Sequence, residues 1–440
     1  MTLLELAPAH EHTALHLKQE AAAALHLKQD AARRKRYAFQ RAVQKTAPAP
    51  TFVDGEEVEM AKGRKRLLDC SRVPIGKFAC FTQAPNRKAG TGGVATCGRA
   101  LVCPVCGPKI RAQRQRELVE MLTAANAQGI GLHFLTFTLR HFNGMPLMQS
   151  LRVVRKLWRK VARGRRWQDY QKRYGLKMVS TIEITTGANG WHPHLHMVLF
   201  QGVPANLYES GQWVADNSGP LPRWTEAEEA EFRAWLTAEW LKVINKAGLP
   251  AALAEYALRW VEAYSQTDTE GLANYMTKDQ GVAEAQELHA RGLSMEVLRG
   301  DLKSRARTEH ATMSPFMLLP AALAGDQEAR RLWWEYEEAV RGLHWLRTSP
   351  GLRQALGLTE HTATDEEIAA ETDAKKVPVI VVLAASWLQL HDGGHIAALL
   401  WLLETEGVEA TLKELKRLGA EAYSMAEFYE LDAVPRPPPD

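Results

Sequence analysis

Apolar positions recur at helical spacing over residues 108–127, where Ile110, Leu118 and Leu122 stand among basic residues before Gly129 and Gly131 break the pattern. The next run, His133-Phe134-Leu135-Thr136-Phe137-Thr138-Leu139, is aromatic and Thr-rich and predicts a strand. A second helix is predicted over 147–163, with Leu151, Val154, Leu157 and Val161 on one face. Two strands follow at 178–185 and 192–200, joined through Gly187-Ala188-Asn189-Gly190 as in a β-hairpin. A long helix is predicted at 225–246 and a short one around 270–278. Beyond these the pattern is mostly helical, with one strand-like run at 377–383 and a Pro-rich tail at 435–439. Strand, helix, hairpin, helix is an α+β order and predicts a central antiparallel sheet flanked by helices.

The first 60 residues read differently. Ala14-Leu15-His16-Leu17-Lys18-Gln19 recurs as Ala24-Leu25-His26-Leu27-Lys28-Gln29, a ten-residue period that matches neither a heptad nor a solenoid. With Arg33-Arg34-Lys35-Arg36 after it and Pro48 and Pro50 closing it, this stretch is expected to be a basic helical arm at 1–60.

Composition adds little until the charge is divided. The net charge of +4 conceals 33 Lys and Arg against 12 Asp and Glu in residues 1–180, net +21, and 22 against 39 in residues 181–440, net −17. A basic half on an acidic half predicts a polyanionic partner, nucleic acid first, with solvated charged faces as the bland alternative. Only Asp169 interrupts the basic run between Leu151 and Ser180, which makes Arg155, Arg159, Lys160, Arg163, Arg165 and Arg166 candidate DNA contacts. At 440 residues and 46% apolar content the chain is too long for a disulfide-stapled mini-protein and too apolar for wholesale disorder. Its longest near-continuous apolar run, 377–388, is well short of the ~20 residues of a membrane span, so a cytoplasmic location without membrane partners is expected.

Three groups of residues carry candidate chemistry. In Trp191-His192-Pro193-His194-Leu195-His196, strand alternation puts His192, His194 and His196 on one face at ~7 Å intervals, where imidazoles can share a metal ion. Glu183 on the preceding strand would add a hard oxygen suited to Mg²⁺ or Mn²⁺. The competing reading is a polar edge-strand face. The second group is Cys97, Cys103-Pro104-Val105-Cys106-Gly107, with Cys80 and Cys70 upstream. A Cys-x₂-Cys turn of this kind predicts a tetrahedral structural Zn²⁺ site, Cys80 being placed ahead of Cys70 as fourth ligand. Third, Tyr275 and Lys278 share one face of the predicted short helix. No Gly-x₄-Gly-Lys-Ser/Thr phosphate loop occurs.

In order, Phe134-Leu135-Thr136-Phe137-Thr138, the His192–His196 run and Tyr275-Met276-Thr277-Lys278 resemble the three motifs of HUH-endonuclease replication initiators of rolling-circle plasmids, of single-tyrosine type with an upstream Cys module. The resemblance spans roughly residues 65–358, including the Cys-Pro-x-Cys-Gly segment and stretches around 314–319 and 345–353. It implies an HUH-type nuclease domain at 108–281, preceded by the zinc module at 61–107; the region at 282–440, whose end the resemblance does not cover, is expected from its pattern to be mostly helical, with DNA or a partner as its candidate ligand. It further implies an enzyme that nicks one strand at the double-strand origin, forms a 5′-phosphotyrosine, frees a 3′-OH primer and later rejoins the strand. His194 and His196 would be the metal pair, Glu183 or His192 a further ligand, and Tyr275 the nucleophile.

A tyrosine of pKa ~10 is ~0.1% ionised at pH 7, and a cation such as Lys278 at ~4 Å could supply most of the ~4 kcal/mol deficit. Single-tyrosine members can end the cycle with a Glu one turn before the Tyr. Here Gly271 stands four residues before Tyr275 and Glu270 five before, so Glu270 is the candidate for that role. The implied partners are single-stranded origin DNA at the nick and a host helicase, with a homodimer left open. Alternative readings are an HUH relaxase or single-tyrosine transposase, a histidine-triad nucleotide hydrolase, and a non-catalytic zinc-containing DNA-binding regulator.

Overall fold

The computed structural model describes residues 9–48, 52–53, 56–57, 62–204, 206–209, 212–215, 221–250, 253–262, 312–359, 363–370 and 376–431. In chain order its principal elements are α1 (Ala9–Lys45), α2 (Lys62–Asp69), β1 (Phe78–Gln83), β2 (Ala89–Gly92), α3 (Cys106–Ala127), β3 (Gly131–Thr138), α4 (Leu147–Arg163) and α5 (Arg165–Tyr174). The hairpin β4 (Lys177–Gly187) and β5 (Gly190–Gln201) follows, then α6 (Glu226–Lys246), β6 (Leu258–Glu262), α7 (Gln327–Ala339) and β7 (Leu346–Thr348). The chain closes with β8 (Val377–Leu383), α8 (Ala384–Gly393), α9 (Ile396–Thr405), α10 (Val408–Arg417) and β9 (Ala422–Ser424). The fold is mixed, with antiparallel sheets and helices as the periodicity predicts, and α4 has the expected bounds. No described helix is long and apolar enough to cross a membrane.

Two compact units emerge. One gathers residues 1–99, 103–106 and 369–440, and the other gathers 100–102 and 107–368. In the first unit a four-stranded sheet has the order β9-β8-β1-β2. The run at 377–383 is a strand, as expected, but it bridges β9, close by in the chain, and β1, about 300 residues upstream, with Val381 opposite Cys80 and Val382 opposite Ala79. Phe81, Ile380, Val382, Trp387, Leu399 and Leu403 form its core, because alternate positions of β1 and β8 turn toward α8 and α9.

The helix of the N-terminal stretch packs within this unit. Arg33 grips Glu404 with two hydrogen bonds of 2.7 and 2.8 Å, and Gln40, fully buried, donates to the carbonyls of Leu67 and Cys70. Residues on both sides of the expected boundaries at 60 and 281 thus pack into one body.

In the second unit a five-stranded antiparallel sheet has the order β6-β3-β5-β4-β7. The hairpin closes where the turn sequence predicts, with Gly187 opposite Gly190. Gly190 has φ +83°, and an added Cβ would stand 3.0 Å from the Phe142 carbonyl, so both conformation and space favour glycine. Leu195, Met197 and Leu199 of β5, Leu135 and Phe137 of β3 and Met178 of β4 turn to one side. There they meet Val153, Val154 and Val161 of α4 and Phe232, Leu236 and Trp240 of α6.

Helix α6 begins in a capping box, Thr225 N–H donating to the Glu228 carboxylate at 2.8 Å while Glu228 N–H donates back to the Thr225 hydroxyl. The α4 N-terminus has no cap of its own. Glu335 of α7 accepts from Leu147 N–H at 2.8 Å and supplies a carboxylate where the helix dipole favours one. The sheet's two edge strands, β6 and β7, carry no strong alternation in sequence and were not expected.

Candidate active site and metal centre

Because α4 and α6 occupy one side of the sheet, the alternate residues of β3, β4 and β5 face the other. The register sets Thr136 opposite His196 and Thr138 opposite His194 on β3, and Thr181, Glu183 and Thr185 opposite His196, His194 and His192 on β4. All three histidines therefore share one face, as alternation predicts. The Thr136 hydroxyl lies 3.1 Å from His196 Nδ1, and the Thr138 hydroxyl 3.2 Å from His194 Nδ1. When Nδ1–H donates to the hydroxyl, Nε2 keeps a lone pair that can ligate a metal. His196 Nε2 stands 2.7 Å from Glu183 Oε2, so without a metal its Nε2–H donates to that carboxylate and its Nδ1 accepts from the Thr136 hydroxyl; both residues are buried, at 4% and 7% exposure. Trp240 Nε1 donates to the Thr138 carbonyl at 3.0 Å, so α6 fixes the end of β3 from behind.

His192 lies at the outer end of the row, its ring 4.0 Å from that of His194 and 4.1 Å from that of His141. Burial, then the neighbouring His194 and His141 charges, push its pKa down to about 3, so it stands neutral at physiological pH. The sequence reading missed His141, which follows β3 as a lone histidine with no pattern around it. It also left Thr136 and Thr138 without a role, although strand alternation and an antiparallel neighbour were enough to suggest one.

The donor types in this row fit a hard or borderline divalent ion, with His196 and Glu183 already side by side, although no three of the ligand atoms of Glu183, His192, His194 and His196 lie mutually within 4.8 Å. Among the described residues, the set of three or more ligand atoms lying mutually within 4.8 Å is formed by Cys70, Cys97, Cys103 and Cys106. Tyr275, Lys278 and Glu270 lie outside the described residues. Their flanks are both held on this sheet. β6 pairs with β3, and Met313 exchanges two backbone hydrogen bonds with Thr186, at 2.8 and 2.9 Å, next to Thr185.

The four cysteines are all buried and free of disulfides. Cys70 Sγ lies 3.5 Å from Cys103 Sγ and 3.4 Å from Cys106 Sγ, close to the ~3.8 Å separation that tetrahedral Zn–S bonds of 2.3 Å impose. Cys106 N–H donates to Cys103 Sγ at 3.2 Å, as a Cys-x₂-Cys turn opening a helix allows. Hydrogen bonds from Cys103 and its neighbours hold Cys106 far below the usual thiol range, while burial pushes Cys103 up. Four thiols this close favour shared thiolate charge, and this group could hold a metal such as zinc.

Cys80 is not in the cluster. On β1 it sits between Gly92 and Val381 with its side chain on the face away from Phe81, and Cys70 takes the fourth place at the end of α2. The Gln40 bond to the Cys70 carbonyl holds it there.

The basic helices are less uniform than their sequence. Lys160 pairs with Glu239 at 2.9 Å, and Arg166 pairs with Glu231 while stacking over Tyr170 and Trp235. Arg173 pairs with Glu228. The acids that pair with these residues come from α6. Arg155, Arg159, Arg163 and Arg165 have no such partner among the described residues.

The chain is 26% identical over 356 residues to a Streptomyces lividans protein called Protein rep, covering 70% of this chain and 74% of that one. It is also 26% identical over 136 residues to a Neomycin resistance protein of Streptomyces cyanogenus, covering 25% of this chain and 31% of that one. No protein-family model matches the chain, and no solved structure matches it.

Proposed function

We propose that this protein is a plasmid replication initiator that nicks one strand of its origin through attack by Tyr275. The likeness to Protein rep over most of both chains supports the biological role. The observation that carries the chemistry is the Thr136–His196–Glu183 and Thr138–His194 arrangement on the face of the sheet away from α4 and α6. It joins by hydrogen bonds two of the three segments that resemble the HUH motifs, with each threonine beside one histidine.

In the proposed step the Tyr275 oxygen attacks the scissile phosphorus and loses its proton. The bond from phosphorus to the 3′ oxygen breaks, and that oxygen leaves as a 3′-OH able to prime synthesis. Lys278, one turn on, lowers the cost of the phenolate. His194 and His196, with Glu183 or His192, would hold Mg²⁺ or Mn²⁺, which when bound neutralises charge on the phosphate. The phosphotyrosine conserves the phosphodiester energy, so rejoining requires no nucleotide, and Glu270 is the candidate for activating water at termination. Without a phosphate loop, unwinding falls to a host helicase in the cytoplasm. Cys70, Cys97, Cys103 and Cys106 hold a structural Zn²⁺.

Incubation with supercoiled plasmids carrying candidate origins tests the reading. Open circles and a 5′-linked adduct mapping to Tyr275 are expected, and Tyr275→Phe should abolish both while duplex binding stays within a few-fold. Undiminished cleavage by that variant, or an adduct at another residue, would overturn it.

A further inference from the structure

The edge strand β7 pairs with β4 so that Arg347 lies opposite Ser180 and Leu346 opposite Thr181. Ser180 in turn lies opposite Met197, whereas Thr181 lies opposite His196. Arg347 therefore leaves the sheet on the α4 side, away from the histidines. On α4, Arg155 and Arg159 are one turn apart on the same face. Both are close enough to act on Arg347, whose pKa is lowered by burial and then by these two like charges. No acid among the described residues pairs with any of the three.

The contrast with the other flank is sharp. Lys160, Arg166 and Arg173 are matched one for one by Glu239, Glu231 and Glu228 of α6. The acidic half of the chain thus neutralises one flank of the basic helices and leaves the other uncompensated. Three guanidiniums gathered without a carboxylate repel one another, a cost that an anion between them would relieve.

We propose that Arg155, Arg159 and Arg347 form a binding site for the phosphate backbone of duplex DNA, on the side of the sheet opposite the nicking face. The proposal rests on the reading of the protein as an origin nickase and adds a second DNA contact to it. A strand held here is separated from His194 and His196 by the sheet itself. The arginines therefore grip duplex flanking the nick, while the strand to be cut lies on the histidine face. Fork-shaped guanidinium donors suit phosphate oxygens, and such contacts position DNA without reading its sequence.

The test uses the full chain in binding titrations on duplex DNA at several salt concentrations, and in nicking of supercoiled plasmid and of a short single-stranded origin oligonucleotide. Arg155→Ala/Arg159→Ala/Arg347→Ala should flatten the log K against log salt slope by about 2 to 3. Plasmid nicking should fall about tenfold at 150 mM salt, on the order expected for lost phosphate contacts, and the oligonucleotide should be affected much less.

Lys160→Ala/Arg166→Ala should change the slope by less than one contact. Should the triple variant fold poorly, Arg347→Glu alone, on an exposed edge strand, should weaken duplex binding more than Arg347→Ala, and Arg347→Lys should restore most of the slope. An unchanged slope in the triple variant, or an equal loss in the Lys160 and Arg166 pair, would overturn the proposal. Arginine-dependent duplex binding by a chain that cuts nothing would support this site and instead remove the nickase reading.

Discussion

The cysteine cluster and the histidine row are both candidate metal sites, and they are built in opposite ways. Cys70, Cys97, Cys103 and Cys106 are buried and already gathered within 4.8 Å, so four protein ligands would close the coordination sphere of a bound ion. The histidines lie in a row along one strand, His194 and His196 each tied at Nδ1 by a threonine, and His192 and His194 remain partly open to solvent. A closed sulfur cage suits an ion that holds a fold together. A row of imidazoles beside one carboxylate, fewer protein ligands than a hard ion takes, suits an ion that must also meet a phosphate.

The largest expected effect sharpens this contrast. Cys103→Ser or Cys106→Ser should remove a tightly held zinc, about one per chain, and destabilise the first unit by on the order of 5 kcal/mol, since a structural metal contributes folding energy outright. Metal analysis and thermal melting check this, and a folded, active preparation without zinc would break the comparison. His194→Ala and His196→Ala should do the reverse. Zinc content and melting should hold, while Mg²⁺- or Mn²⁺-dependent nicking of single-stranded origin DNA falls by ~100-fold or more. Two variants with wild-type rate and metal dependence would reduce the row to a polar sheet face.

Smaller effects separate orientation from ligation. Thr138→Val keeps the shape of the side chain and removes the Nδ1 partner of His194, so metal affinity measured through nicking should drop ~10- to 100-fold, with a smaller change at saturating metal. Equal activity at every metal concentration would deny the threonine its orienting role. The smallest effect is expected at Cys80→Ser, where zinc content should not change and stability should stay within ~0.5 kcal/mol. Loss of zinc in that variant would restore Cys80 as a ligand and displace Cys70.

By itself the sequence determined what depends on neighbours a few positions away. Period-two alternation put His192, His194 and His196 on one face, the Gly187–Gly190 turn closed the hairpin with Glu183 beside them, and the 3.6-residue period bounded α4. Backbone geometry enforces those relations wherever the segment lies.

Only the tertiary structure decided the rest. Cys70 rather than Cys80 joined the cluster because a glutamine from α1 and the end of α2 met the Cys-x₂-Cys turn. The α6 carboxylates reached Lys160 and Arg166 across some 65 to 79 residues of chain. Two short strands without strong periodicity, β6 and β7, became the edges of the histidine sheet and carried Arg347 to the α4 side. Such choices are made by burial and by charge matching between distant segments, and these leave no local period to read.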